Sequence, residues 1–405
     1  MDGKRGFDHA FSLCRINLGT VGLWPNSKNG KGHQEVASLI FFIISLFTII
    51  VFVNLAQTVK LIMIWGDLNH MIDNISTANL PIAVVVFKML TFRRYKKTLT
   101  RLLGIAMDDW CTKKTSREAE NMSKNARTAR KMSLVCVVLG FGSVNGQLAV
   151  RISQELDILP GQTEKRLPML SSYIPYEYQT SPAYEITWFM QYLGAVLATL
   201  VYSGVYCVFV GLVLHLRGQV ANLRFMFESV DDPEEDKGKN FRRRLRSLVE
   251  RHESLNRFAE DIENIFTLMF LAEILSCTIQ ICLQVFLLVT LMSNDNGGVP
   301  ILQILFMMVY AMHVGTHVFI CCYVADKLRD ESLSICDLAY NYEWYRLPAR
   351  DARLLLFIML RAERPLEVTA GKFCAFSLRL YAQILKTSGG YLSMLLAVKD
   401  RSTNF

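Results

Sequence analysis

Lys386 is the most demanding charge in this 405-residue chain, because it lies well inside an apolar run that ends at Val398. A lysine at the centre of a bilayer costs roughly 2.5–3.5 kcal/mol on insertion scales, so it normally faces water or a partner. Snorkelling works near helix ends and accounts for Arg379, but it does not suit Lys386. Glu273 borders another uncharged run, which starts at Ile274, and reads as a marker of the membrane interface. His313 and His317 stand four apart, on one helix face and at metal-ligand spacing. Cys321 extends their stripe. With no acid beside them, a polar seam between helices is the simpler reading, and no metal is expected.

Gly140-Phe141-Gly142-Ser143-Val144-Asn145-Gly146 lies inside an apolar run, where small residues let helices approach closely. It is not a dinucleotide fingerprint. Asn74-Ile75-Ser76 and Asn121-Met122-Ser123 are glycosylation sequons. The first is expected outside but close to the membrane, and the second inside, where it is silent. The ten cysteines read as packing residues of helices. There is no phosphate loop, His-Glu-x-x-His or nucleophile elbow, so neither an enzyme nor a cofactor is expected.

Seven apolar segments must position these residues. They are cored on 37–59, 74–87, 132–150, 186–216, 274–294, 296–325 and 373–398. Most approach the roughly 20 residues that a bilayer core requires. The second is short and must extend past Asp73 and Lys88. The fold class expected is therefore an all-α membrane protein with seven transmembrane helices. Of 44 Lys and Arg, 36 fall before the first segment or in every second gap after it, and 6 in the others. Lys and Arg hold short loops in the cytoplasm. The N-terminus is then cytoplasmic and the C-terminus extracellular, opposite to a G-protein-coupled receptor. A composition that is 52% hydrophobic excludes an ordinary soluble enzyme, and the +8 net charge reads as topology and lipid contact rather than nucleic-acid binding. Residues 1–36 are polar and charged, so no cleavable signal is expected. No internal repeat supports a transporter.

The cytoplasmic parts read as helical. Leu248, Leu255, Phe258, Ile262 and Phe266 recur at helical spacing into the fifth span, after a break at Asp231–Glu235. The sixth span continues inward through Leu328, Leu333 and Leu338. Ala349–Ala362 follows Pro348 as a short helix whose apolar face carries Leu354, Leu355, Ile358 and Met359. That face needs cover, and neighbouring subunits are expected to give it. Three regions result: 1–325 with six spans, 326–371 as a cytoplasmic anchor, and 372–405 as the last helix with a short extracellular tail.

The C-terminal third resembles the insect odorant receptors. The residues that carry the likeness are Ala339-Tyr340, Trp344-Tyr345, Pro348 and Arg361-Ala362-Glu363-Arg364-Pro365, then Thr369-Ala370-Gly371-Lys372-Phe373, Ser377, Tyr381, Leu385-Lys386, Tyr391 and Leu395. His252-Glu253-Ser254-Leu255 with Phe258-Ala259 fits the family before the fifth span. The resemblance implies a ligand-gated, non-selective cation channel of four subunits in the plasma membrane of a sensory dendrite. Its last helix would line the pore. The chain lacks the co-receptor's long insertion between spans four and five, so it resembles an odorant-tuning subunit that works with co-receptor subunits. The family's apolar gate matches Met394 and Val398, and Ala397 stands where the co-receptor has glutamine. The family's pocket for a small volatile ligand matches Ile75, Ser76, Asn79, Val144, Gln147, Trp188, Tyr192, Val196, Met307, Tyr310 and Ala311. The alternatives are a G-protein-coupled chemoreceptor, which the topology and a missing Asp-Arg-Tyr oppose, and a transporter.

Overall fold

The computed structural model describes residues 3–25, 32–156, 166–228, 239–292, 301–342, 344–346 and 348–403. In chain order the helices are α1 (Gly3–Thr20), α2 (Gly32–Thr48), α3 (Ala56–Met63), α4 (Leu68–Asn74), α5 (Leu80–Arg94) and α6 (Lys96–Cys111). Then come α7 (Ser116–Leu156), α8 (Ala183–Glu228), α9 (Lys239–Met292), α10 (Ile301–Asn341), α11 (Ala349–Ala362) and α12 (Leu378–Thr403). Two π-helical stretches, Ile49–Leu55 and Ile75–Asn79, join α2 to α3 and α4 to α5 without a break.

α8 is the axis of the bundle. Its middle is apolar nearly all round, and a helix apolar on every face must be covered on every face. Every residue from 201 to 216 is buried. α1 packs against it through Phe7, Phe11, Cys14 and Leu18, which recur at helical spacing and are all buried. Gly204 and Gly211 on α8 make this possible. A Cβ on either would fall 2.7 Å from the Leu18 or Phe11 side chain.

Among the described residues, five helices are long and apolar enough to cross a membrane: Gly32–Met63, Ser116–Leu156, Ala183–Phe227, Arg242–Met292 and Ile301–Asn341. They cover five of the seven apolar segments. The short second segment lies within the continuous helical run 68–94 and extends past Asp73 and Lys88. The last segment differs from its expected start at 373. Residues 369–375 form a small antiparallel hairpin, β1 (Thr369–Ala370) with β2 (Cys374–Ala375). Gly371 and Lys372 take φ of 61° and 64° at its turn. No α-helix passes through such residues, so α12 begins only at Leu378.

α9 and α10 extend the fifth and sixth spans well beyond a bilayer's thickness, as their apolar spacing predicts. The acidic break at 231–235 lies outside the described residues. α11 forms where its pattern places it, but its apolar residues divide differently. Leu355 and Ile358 are buried against α10 of the same chain, so they do not wait for a neighbouring subunit. Leu354, Leu356, Phe357 and Leu360 are the exposed ones.

Candidate functional site: a cavity among the spans

A cavity of about 110 Å³ lies between the first span, α5, α7, α8, α9 and α10. Val53 and Ala78 enter its wall from the two π-helical stretches. Such stretches recur at functional sites because they re-aim side chains. Pro81 follows the second one, and it has no N–H to donate to the carbonyl four residues back. α7 contributes Ser143, Val144 and Gln147, and α10 contributes Phe306, Tyr310 and His313. Gly140, Gly142 and Gly146 bring α7 close to His313, Val309 and Phe306 of α10. The small-residue run therefore shapes one wall. Gln147 and Phe306 also border a vestibule of about 590 Å³ that carries Lys60, Asp67, His70, Asp73 and Arg151.

The floor is ionic. Tyr202 on α8 lines the cavity and donates its hydroxyl to Glu273 Oε1 on α9 at 2.6 Å. Glu273 Oε2 meets Lys88 Nζ on α5 at 2.5 Å. The Lys88 side chain is 0% exposed and its ammonium lies 4.0 Å and 4.4 Å from the ring centres of Tyr202 and Tyr206. Glu273, which its place at the edge of an apolar run marked for the interface, is buried and neutralises a buried lysine. His313 and His317 lie beside this network, their ring centres 4.4 Å apart. The His317 Nδ1 is 2.7 Å from the His313 carbonyl, and Tyr202 is in ring contact with both. Among the described residues no group of three metal-ligating side chains is found.

Of the residues matched to the family pocket, Val144, Gln147 and Tyr310 line this cavity, and Met307 lines the vestibule. Ser76 sits behind Tyr310, whose hydroxyl oxygen lies 3.1 Å from the Ser76 carbonyl and 2.7 Å from Gln280 Oε1. Asn79 donates to Thr58 Oγ1 at 2.9 Å and Tyr192 to Asn145 Oδ1 at 3.2 Å. Trp188 donates Nε1–H to the Leu167 carbonyl at 3.0 Å, which ties down the segment before α8. Ile75, Val196 and Ala311 are half-buried and are not on the cavity wall. Sequence reasoning passed over Tyr202, Thr199, Gln280 and His313 as wall residues. His313 had a visible signal, being three residues beyond Tyr310 on one helix face. Asn74, the acceptor residue of the first sequon, is buried and donates to the Ser171 carbonyl.

α12 packs chiefly on α9 and α10. Ser388 donates to the Thr278 carbonyl at 3.2 Å, and Tyr381 stacks edge-on against Phe319. The opposite face carries Gln383, Lys386, Gly390 and Met394, all exposed, Met394 to 67%. Ala397 is exposed on the same helix. Val398 lies in α12, with its side chain outside the described residues.

The long apolar helices and the cavity among them are those of a multi-pass membrane protein. The 7tm Odorant receptor family model matches residues 67–389, and the chain belongs to that family. It is an odorant-sensing receptor. It is similar to Odorant receptor 22c of Drosophila melanogaster, with 25% identity over 96% of each chain. It is also similar to Odorant receptor 10 of Aedes albopictus, with 26% identity over 54% of this chain and 56% of the other. In fold it resembles the olfactory receptor OR5 of Machilis hrabei in complex with eugenol, with a TM-score of 0.81 and 14% identity over 98% of each chain. The same receptor without the eugenol complex gives a TM-score of 0.77.

Proposed function

We propose that the chain is an odorant-tuning subunit of a ligand-gated, non-selective cation channel, assembled with co-receptor subunits into a tetramer. The cavity takes a small volatile ligand, and α12 lines the pore. The observation that carries this reading is the free face of α12. Gln383, Lys386 and two adjacent glycines, Gly389 and Gly390, are exposed on it. Lipid is a poor neighbour for such a surface, whereas a water-filled path suits it. Met394, Ala397 and Val398 stand near the outer end of the same helix, where apolar side chains close a pore by excluding water. In this reading the N-terminus is cytoplasmic, the C-terminus extracellular, and the plasma membrane of a sensory dendrite is the setting.

The test is current in outside-out patches from cells expressing the chain with and without a co-receptor, exposed to an odour panel. Odorant-gated cation current that needs the co-receptor and persists without nucleotide on the cytoplasmic face is the expected result. A response that requires a G protein favours a coupled chemoreceptor. Current that follows a substrate gradient favours a transporter. Either result rejects the channel reading.

A further inference from the structure

Several arginines of the proposed cytoplasmic side have a carboxylate partner. Arg101 meets Asp261 at 2.6 Å, Arg242 meets Asp351 at 2.9 Å and Arg251 meets Asp109 at 2.8 Å. The seam between α1 and α7 differs. Arg127, Arg130 and Lys131 are exposed on α7 and Arg5 on α1, and among the described residues none of the four has a carboxylate within ion-pair distance. Arg130 bridges the seam through uncharged contacts: its Nη1 lies 3.3 Å from His9 Nδ1, 3.5 Å from the His9 carbonyl and 3.4 Å from Ser12 Oγ. Burial holds His9 below its ordinary pKa, and the charges of Arg130 and Arg127 push the same way. Asp8, the acid beside the seam, is taken by Arg15 at 2.9 Å. On α7 the acid that shares the face is Glu120, seven residues before Arg127 and so roughly 10 Å along the axis. Each helix then turns from polar to apolar along one face. Arg127, Lys131, Leu134 and Val138 recur at three- and four-residue steps on α7, as do Arg5, His9, Ser12 and Ile16 on α1. Leu134, Val138 and Ile16 are 52%, 60% and 60% exposed. The two helices run the same way along α8. Phe11 lies against Gly211 and Leu18 against Gly204, while Asn125 lies against Gly218 and the Ser133 carbonyl is 3.8 Å from Cys207 Sγ. The exposed bases therefore give way to exposed apolar surface on both helices, on α7 at the start of the third apolar segment.

We propose that this seam binds an anionic phospholipid of the cytoplasmic leaflet whose headgroup carries phosphomonoesters. Its phosphates lie at Arg127, Arg130 and Lys131, and an acyl chain lies along Ile16, Leu134 and Val138. The leaflet, though not the site, rests on the orientation proposed above. Bases clustered immediately cytoplasmic of a span attract anionic lipid, and the guanidinium fork matches phosphate oxygens. Four bases without carboxylates exceed what a single phosphodiester neutralises, which favours the more highly charged headgroup. The apolar surface that continues the seam favours a lipid over a free phosphate compound. α12 packs chiefly on α9 and α10, whereas α1 packs on α6, α7 and α8, so a lipid here does not compete for the face proposed to line the pore. It clips α1 to α7, and so stabilises the chain.

The test is thermal unfolding of the purified full chain in an uncharged detergent, titrated with four probes. These are short-chain phosphatidylinositol bisphosphate, phosphatidylserine and phosphatidylcholine, and soluble inositol trisphosphate. The bisphosphate lipid is expected to raise the midpoint at a concentration about tenfold below phosphatidylserine, with phosphatidylcholine and inositol trisphosphate inactive there. Arg127→Gln combined with Lys131→Gln leaves Arg130 and its contacts in place, and should raise the bisphosphate lipid concentration needed by at least about tenfold. Where that variant expresses poorly, Arg127→Gln alone is titrated, with about a fivefold rise expected. Arg94→Gln combined with Lys97→Gln removes the same charge from exposed positions on α5 and α6 and should change nothing. Equal losses from the two double variants reduce the effect to overall charge and overturn the site. No shift with any probe overturns it as well. Inositol trisphosphate acting as well as the lipid makes this a site for free phosphate and overturns the lipid. Phosphatidylserine acting at the same concentration as the bisphosphate overturns the phosphomonoester. Binding in detergent is blind to topology, so an externally labelled tag on Met1 overturns the leaflet and not the site, whereas a silent titration overturns the site and not the orientation.

Discussion

Removing one partner of the Lys88–Glu273 pair leaves a charge buried without a counter-charge, and such losses typically cost about 3–5 kcal/mol. Lys88→Met and Glu273→Gln are each expected to destabilise the chain by that order. Lys88→Met combined with Glu273→Gln removes both charges, keeps an acceptor for Tyr202, and is expected to recover most of the loss. Thermal unfolding in detergent measures this, and additive losses would refute the pairing. The cavity wall gives a second contrast. Tyr310→Ala removes a buried ring from the wall and is expected to shift or reorder odorant dose–response curves. Trp188→Ala, whose indole is bonded to Leu167 outside the cavity, should leave odorant preference unchanged at matched surface expression. Equal shifts from both would move the site outward. In the sequence, Lys88 and Glu273 appear only as charges at the edges of apolar runs. Their pairing depends on how two distant helices tilt around Tyr202, and periodicity carries no record of that. Tyr310 and Gln147, named from the family resemblance, line the cavity, but Ile75, Val196 and Ala311, named on the same ground, do not. The direction in which Trp188 points was not legible.

Among the elements, α11 shows what an amphipathic pattern conveys. The pattern located the helix and its apolar residues, yet two separate surfaces use them. Leu355 and Ile358 face α10, whereas Phe357 and Leu360 remain exposed. Phe357→Glu is therefore expected to abolish co-purification with a co-receptor while leaving monomer stability intact. Leu355→Glu should instead lower expression of the chain by itself. Normal co-purification of Phe357→Glu would count against assembly through this face. α12 carries a prediction of its own. A polar side chain at Met394 should favour a wet pore without changing ligand affinity, so Met394→Ser is expected to raise open probability in the absence of odorant. Single-channel recording beside wild-type co-receptor reads it, and unchanged basal opening and conductance would place the gate elsewhere. α1 was the element that sequence reading missed. Its Phe7, Phe11, Cys14 and Leu18 have helical spacing, but they sit among enough charges to look like a polar leader. What draws them in is a pair of glycine notches on α8, more than 180 residues away.

At the scale of the whole molecule, charge asymmetry is the feature from which the proposed orientation follows, because basic loops resist translocation. A tag on Met1 is expected to be inaccessible in intact cells, and a tag after Phe405 accessible; outside labelling of the first would invert the topology. How the helices divide their work was not legible. α7 and α8 supply much of the cavity wall, while α12 is seated chiefly on α9 and α10. The two jobs are thus partly separated in sequence. Substitutions on α7 and α8 alter what the cavity fits while leaving the seat of the last helix in place. Those on α9 and α10 change ligand fit and seat together. In the proposed channel, an odour spectrum set along these two helices would be retuned without touching the parts that open the pore.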